Sequence, residues 1–488
     1  MKGDFTRDTF DARQHFSRVL MQQGRVQLDA DWNEQVAILL HYLQALAEDL
    51  IGPCGGPSDI GDAMEEKKYG FAILTQESGN KITDLKIGRG RYYVNGILCE
   101  NDPHDDGGNP LDEVSYFEQN DYPLDRDEDK LPDPPFLVYL DVWERHLTSL
   151  ESPGIREVAL GGPDTATRAR IVWQVKVWPT SDQDPPQFDL TTLTVGNIDG
   201  HWQELRQNLE ATNRGELTAW TDKPGEEDSV HPCTTDPEAR YRGAENRLYR
   251  VEIHKGGEKD EATFKWSRDN GSVAASWVGK EGDGLLVSGV RDLARGFAPG
   301  QWVELTHDDL ELKGEPGIMA RLVKVEGERL TIDPATASDV VSWSDQFKNP
   351  KVRRWDHQEV KLPPGSPQSS QAPELSEGAI LVKEGLPIRL EEGITIEFTE
   401  FTQTGAQYRS GDYWLIPART ATGDVEWPTQ KDADGNDQPV ALPPHGVEHH
   451  YAPLAVVKIV TENGGEVVKA ENLRHEFAPA WKHELKVS

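Results

Sequence analysis

Groups able to share an ion or pass a proton lie close together at a few places in this chain. In HGVEHHY, His445, Glu448, His449 and His450 fall within six residues, and imidazoles with a carboxylate are donors that zinc accepts. Neighbouring residues of a strand point to opposite faces, so His449 and His450 do not readily share one ion; a polar turn entering the last strands is favoured. DADGNDQ sets Asp432, Asp434 and Asn436 at the one-three-five spacing of a calcium loop. Asp437 stands where that loop needs glycine and no glutamate closes it, so a solvated turn is expected. His231 and Cys233 form a weaker pair and read as structural. Asp141 and Glu144 are the carboxylates a glycosidase-type acid and base would require, although such neighbours arise by chance in an acidic chain. Trp143, Trp302 and Trp355, each near an acid, are surfaces on which a sugar ring would stack, but most such tryptophans are core anchors.

The common catalytic signatures are missing. No nucleophile elbow, phosphate loop, zinc helix or dinucleotide fingerprint is present, and GRGRYYVNG enters a strand rather than the helix that would hold a phosphate. No required metal and no cofactor are expected; an enzyme is the less favoured reading but stays open, because glycosidases and many lyases carry no short motif. One basic point remains, RRWDHQ, where Arg353, Arg354 and Trp355 are residue types enriched at binding hot spots. The favoured alternative is structural: the arginines pair with nearby carboxylates and Trp355 packs against preceding strands.

The elements that must position these residues are mostly strands. Only the first fifty residues read as strongly helical. Asp11 with Gln14 predicts a cap and a helix of about ten residues ending near Gly24. Asp31 with Glu34 predicts a second helix, in which Val36, Leu39, Leu40, Leu43, Leu46, Ala47 and Leu50 recur at three- and four-residue spacing until Gly52-Pro53. That stripe suits either the body of the chain or a neighbouring subunit, with Leu39, Leu43 and Leu46 as the interface candidates. Packing on its own body is the favoured reading. Beyond Tyr69 the period changes to two, with Asn95-Gly96, Asn270-Gly271 and Asn463-Gly464 as turns; TFKWSRDNGSVAASWV reads as a hairpin. A short helix is expected around 201–211, and short strands over 285–335 suit a small barrel.

The resulting expectation is a mainly β, multidomain protein: an N-terminal helical pair (1–55), a small β unit with an acidic Pro-rich loop (56–135), a central β domain (136–280), a barrel-like domain (281–361), a linker (362–374) and a C-terminal β domain (375–488). Composition narrows the partners. Against 51 Lys+Arg stand 85 Asp+Glu, a net charge of −34 over 488 residues, so nucleic acid and anionic membranes would be repelled. No apolar run is long enough for a membrane span and the start lacks a secretion signal, so cytoplasmic synthesis is expected. Three cysteines are too few and too dispersed for a disulfide framework.

Several segments carry a resemblance. FSRVLMQQGRVQLDADWNEQ (16–35), LDVWERHLTSLESPGIREVALGGPDTATRARIVWQVKVW (140–178), TFKWSRDNGSVAASW (263–277), NPKVRRWDHQ (349–358), GDYWLIPARTATGDVEWP (411–428) and PPHGVEHHYAPLA (443–455) resemble an uncharacterised bacterial family associated with gene clusters for phage-tail-like contractile injection particles. GRYYVNGILCE (90–100) is similar, more weakly, to an element of phage baseplate and tail-fibre proteins. The resemblance implies a structural or accessory component, baseplate or tail-fibre-like, assembled with other protein subunits of a tail-like particle. It implies no catalytic residues. The alternatives are a hydrolytic cargo or glycan-processing enzyme using a carboxylate pair, and a non-catalytic protein binding surface glycan.

Overall fold

The computed structural model describes residues 1–58, 69–78, 81–162, 164–178, 189–210, 214–222, 240–290, 296–360, 362, 372–400, 407–462 and 464–478. His231 and Cys233 lie outside these residues, as do residues 363–371 of the expected linker. The chain is mostly β, 41% strand against 14% helical, so antiparallel sheets carry the cores as the alternating pattern requires.

The N-terminal helical pair is reduced to one helix. Asp11 accepts from the Arg13 amide, but it caps only the 3-10 turn Ala12–Gln14, after which His15 turns left-handed at φ 55°. Of Phe16, Val19 and Leu20, the stripe of the expected first helix, Phe16 and Leu20 are exposed and Val19 is half-buried. A ten-residue helix is marginal in water unless one face is buried, and nothing among the described residues buries this one. The second helix does form, as α1 (Asp29–Ile51). It begins before the expected cap: the Thr6 amide donates to Asp29 at 2.8 Å, and Asp31 reaches back to the Leu28 amide at 3.3 Å. Contrary to expectation its leucines do not pack on the body, since only Ala30 and Ile38 are buried along α1. The helix is seated from its other side, against the tight turn between strands Gly90–Val94 and Ile97–Asn101. There Asn95 and Gly96 take φ 46° and 73°, Asn95 donates to Glu48, and a Cβ on Gly96 would collide with the Gln44 carbonyl.

Eleven further strands frame the rest of the molecule: β1 (Phe136–Leu147), β2 (Arg247–Lys255), β3 (Thr263–Ser267), β4 (Ala274–Glu281), β5 (Gly284–Ser288), β6 (Trp302–Thr306), β7 (Ile318–Glu326), β8 (Arg329–Asp333), β9 (Lys351–Trp355), β10 (Tyr413–Arg419) and β11 (His450–Glu462). β1 pairs with Arg168–Trp178 on one side and β11 on the other, and Gly465–Asn472 completes that sheet as the expected final hairpin. Helix α2 (Ile198–Leu209), also expected, covers it with Ile198, Trp202 and Leu205. A second sheet runs Leu375–Ser376, Ala379–Leu381, β3, β2, β10, Asp424–Val425. Strands after residue 375 therefore complete sheets begun by earlier segments, so the expected boundary there does not separate two sheets. Strand pairing joins segments some three hundred residues apart, which local pattern does not encode.

The small barrel is closed and larger than expected, in the order β4-β5-β8-β7-β6-β9. Ala275, Trp277, Leu285, Val303, Leu305, Leu322, Leu330 and Val352 fill it. The expected hairpin over 263–278 is not formed: β3 pairs with β2 and with Ala379–Leu381, whereas β4 pairs with β5 and β9. Asn270 and Gly271 do take positive φ, but the turn passes the chain from sheet to barrel. A turn signal fixes a reversal, not the partners of the flanking strands.

Candidate functional site

Where the outer wall of the barrel meets the second sheet, alternation puts charge on both facing surfaces. Along β2, Tyr249, Val251 and Ile253 enter the apolar core, which leaves Arg250, Glu252 and His254 on the other face. Register sets Lys265 of β3 opposite Glu252. On β6, Val303 and Leu305 line the barrel interior and Glu304 points outward, directly across from Arg353 of β9. These two charged faces meet, and every one of these side chains is buried.

Lys265 is the centre of the arrangement. Its Nζ donates to Glu304 Oε1 at 2.6 Å and lies 3.4 Å from Glu252 Oε1, 3.1 Å from His254 Nδ1 and 4.5 Å from the Trp355 ring centre. Glu304 also accepts from Trp355 Nε1 at 2.9 Å and from the Gly317 amide at 3.3 Å. Glu252 accepts from Arg250 Nε at 2.5 Å and pairs with Lys2 at 2.9 Å. Arg353 donates to the Gly271 carbonyl, which ties the turn to the barrel. A second cluster adjoins it. Lys351 meets Glu151 and Glu311, while Arg145 of β1 donates to Asp308 at 2.7 Å and Glu311 at 3.0 Å on α3 (Asp308–Lys313). A cavity of about 540 Å³ opens between the clusters, walled by Arg145, His146, Glu252, Lys265, Glu304 and Arg353.

Burial by itself would raise both carboxyls, but the cations outweigh it: Lys2, Arg250 and Lys265 at Glu252, and Lys265 and Lys2 at Glu304, hold both well below the ordinary range. Burial, reinforced by the Lys265 ammonium, lowers His254 to about 3, and burial lowers His357 to about 4. At neutral pH the carboxylates are thus ionised and these imidazoles neutral. Neither Glu252 nor Glu304 holds a proton to give a leaving group, so the pair lacks the acid that glycoside cleavage needs. What the arrangement does well is fix one relative placement of barrel and sheet, because a shift by one residue would strand several buried charges.

Of the residues singled out from sequence, Trp143, Glu144, Arg353, Glu448 and His450 line that cavity, whereas Asp141, His445, His449 and Asp432 do not. Asp141 and Glu144 lie on opposite faces of β1, and Asp141 is occupied by His449 Nδ1 at 2.7 Å and Lys176 Nζ at 2.7 Å. His449 lies against the Trp143 ring, 4.8 Å between centres, while His445 sits beside Tyr413 and Glu448 faces the cavity. Asp432 caps its own turn by accepting from the Asp434 and Asn436 amides. Among the described residues, no three His, Cys, Asp or Glu are grouped to hold a metal ion. Cys54 and Cys99 are buried free thiols. Trp143, Trp302 and Trp355 are all buried, so none offers the open face that sugar stacking uses. Trp355 and both arginines therefore act inside the chain: Arg354 pairs with Asp269 and lies 3.2 Å from Asp356. Leu39, Leu43 and Leu46 are exposed on α1.

Lys265, Glu252 and Lys351 escaped the sequence reading. RLYRVEIHK and TFKWS alternate charged and apolar residues, a pattern that ordinarily marks a solvent face. Nothing local says that a second charged face will cover it.

Fold and site together define a multi-sheet β protein with a buried cluster of paired charges at the joint between sheet and barrel. Over residues 1–190 and 203–466 the chain matches the family described as a family of unknown function, DUF6519, and it belongs to that family. No curated protein matches it, and no solved structure does.

Proposed function

We propose that this protein is a non-catalytic structural component of a multi-subunit assembly, of the phage-tail-like contractile kind to which its segments bear a resemblance. One observation carries the assembly role: α1 holds Leu39, Leu43 and Leu46 out to water while its opposite side is seated on the body. A leucine-rich face left open on a folded chain marks an interaction surface. The paired charges of the sheet–barrel joint support the same reading, since they serve rigidity and leave Glu252 and Glu304 without a transferable proton. Partners are protein subunits; net charge of −34 argues against nucleic acid. Among the described residues, no helix is long and apolar enough to cross a membrane.

The test is to purify the tail-like particle from cells with and without this chain. The expected result is a fixed ratio of the chain in the particle, lost when Leu43→Glu and Leu46→Glu are combined. Particles that are complete and contain none of the chain would overturn the reading.

A further inference from the structure

We propose that α1 is a self-association helix, whose exposed stripe packs against the same stripe of another copy of this chain. This names the occupant of the face on which the assembly reading rests. The exposed residues are Trp32 (73% exposed), Val36 (40%), Leu39 (53%), Leu43 (61%), Leu46 (55%) and Leu50 (78%). Their spacing is four, three, four, three, four, the heptad period in which the a and d side chains of one helix enter the holes of another. Val36, Leu43 and Leu50 take the a positions, and Trp32, Leu39 and Leu46 take d. Period and exposure are independent facts, and all six residues at that period are exposed. The 23 residues of α1 extend roughly 35 Å at ~1.5 Å per residue, so the stripe runs most of the helix length.

Charge selects the occupant. In heptad pairing, a different partner helix is chosen by charges at the e and g positions that flank the seam. Here those positions hold Asn33, Gln35, Leu40, Tyr42, Ala47 and Asp49, with a single charge among them. Leu40 and Tyr42 are themselves exposed and widen the apolar stripe. Flanks of this kind give a foreign charged helix nothing to recognise. For two copies of a chain carrying −34 they keep like charge off the contact line. The acids of α1 other than Asp49 lie elsewhere: Asp29 and Asp31 at its first turn bind the Thr6 and Leu28 amides, Glu34 accepts from the Thr9 hydroxyl, and Glu48 accepts from Asn95 on the seated side. Docking through the Asn95-Gly96 turn leaves the stripe free, so a second copy can cover it without undocking the helix.

The experiment measures the mass of the full chain in solution by light scattering across a wide concentration range, with circular dichroism and thermal melting as controls for folding. A multiple of the 54.6 kDa chain is expected for the native sequence. Leu43→Glu combined with Leu46→Glu should return the single-chain mass, and Leu43→Ala combined with Leu46→Ala, which keeps helix propensity, should weaken association at least tenfold. Val158→Glu, at an apolar residue 84% exposed outside α1, should leave the mass unchanged. A native chain of single-chain mass at every concentration overturns the proposal, as does a glutamate variant with the native mass. The two proposals fail separately. A single-chain protein that still co-purifies with the particle sinks self-association alone, whereas a multimer absent from the particle sinks the particle reading alone.

Discussion

The sheet–barrel joint and α1 invert the usual distribution of residue types, in opposite senses. The joint buries Lys265, Lys351, Glu252, Glu304 and Arg353, whereas α1 exposes six large apolar side chains along one line. At the joint each carboxylate has cations and donors of the same chain within reach. Along α1, nothing among the described residues covers the apolar face. A completed inversion marks internal architecture, and an uncompleted one marks a surface awaiting something else.

The contrast is most exposed to test at the joint. Trp355→Ala removes a fully buried ring and the donor to Glu304 Oε2, and it should cost about 5 kcal/mol, read by denaturant unfolding. A variant that kept its melting temperature but left the particle would make Trp355 an external anchor after all. Glu304→Gln keeps the volume but removes the charge that balances Lys265, and about 3 kcal/mol should be lost.

Acid should act on the joint and spare α1. Unfolded histidine takes a proton below about 6.5, whereas folded His254 and His357 wait until about 3 and about 4. The unfolded state therefore binds more protons in between, and stability falls as pH drops from 6.5 toward 4. Glu252 and Glu304, lowered on folding, add to the loss below about 4.5 in the same direction. Replacing either histidine by Gln should remove about 2 kcal/mol of the decline between pH 7 and 5. The mass in solution, set by leucines, should not change over that window.

Smaller effects are expected at the helix. Gly96→Ala strains a positive φ and pushes against the Gln44 carbonyl, costing about 1–2 kcal/mol and raising hydrogen exchange along α1. Leu43→Glu with Leu46→Glu should change the unfolding free energy of the isolated chain by less than ~0.5 kcal/mol, because neither side chain is buried. A large loss would mean that α1 packs on the body in solution.

Local pattern was enough to specify the strand-rich class, α1, α2, the reversals at Asn95-Gly96 and Asn270-Gly271, and the final hairpin, because each depends on residues within a few positions of one another; Asn463 of the third expected turn lies outside the described residues. It also displayed the leucine stripe, and misassigned the face because a periodic pattern states that a helix has an apolar side without stating what lies opposite. Folding of the whole chain was needed to carry it from sheet to barrel at Asn270-Gly271, to return β11 to β1, and to close Glu252 and Glu304 on one lysine. Those outcomes turn on contacts between segments tens to hundreds of residues apart. An alternating strand reads alike whether water or a second charged surface covers it, and that choice belongs to the packing of distant segments against one another.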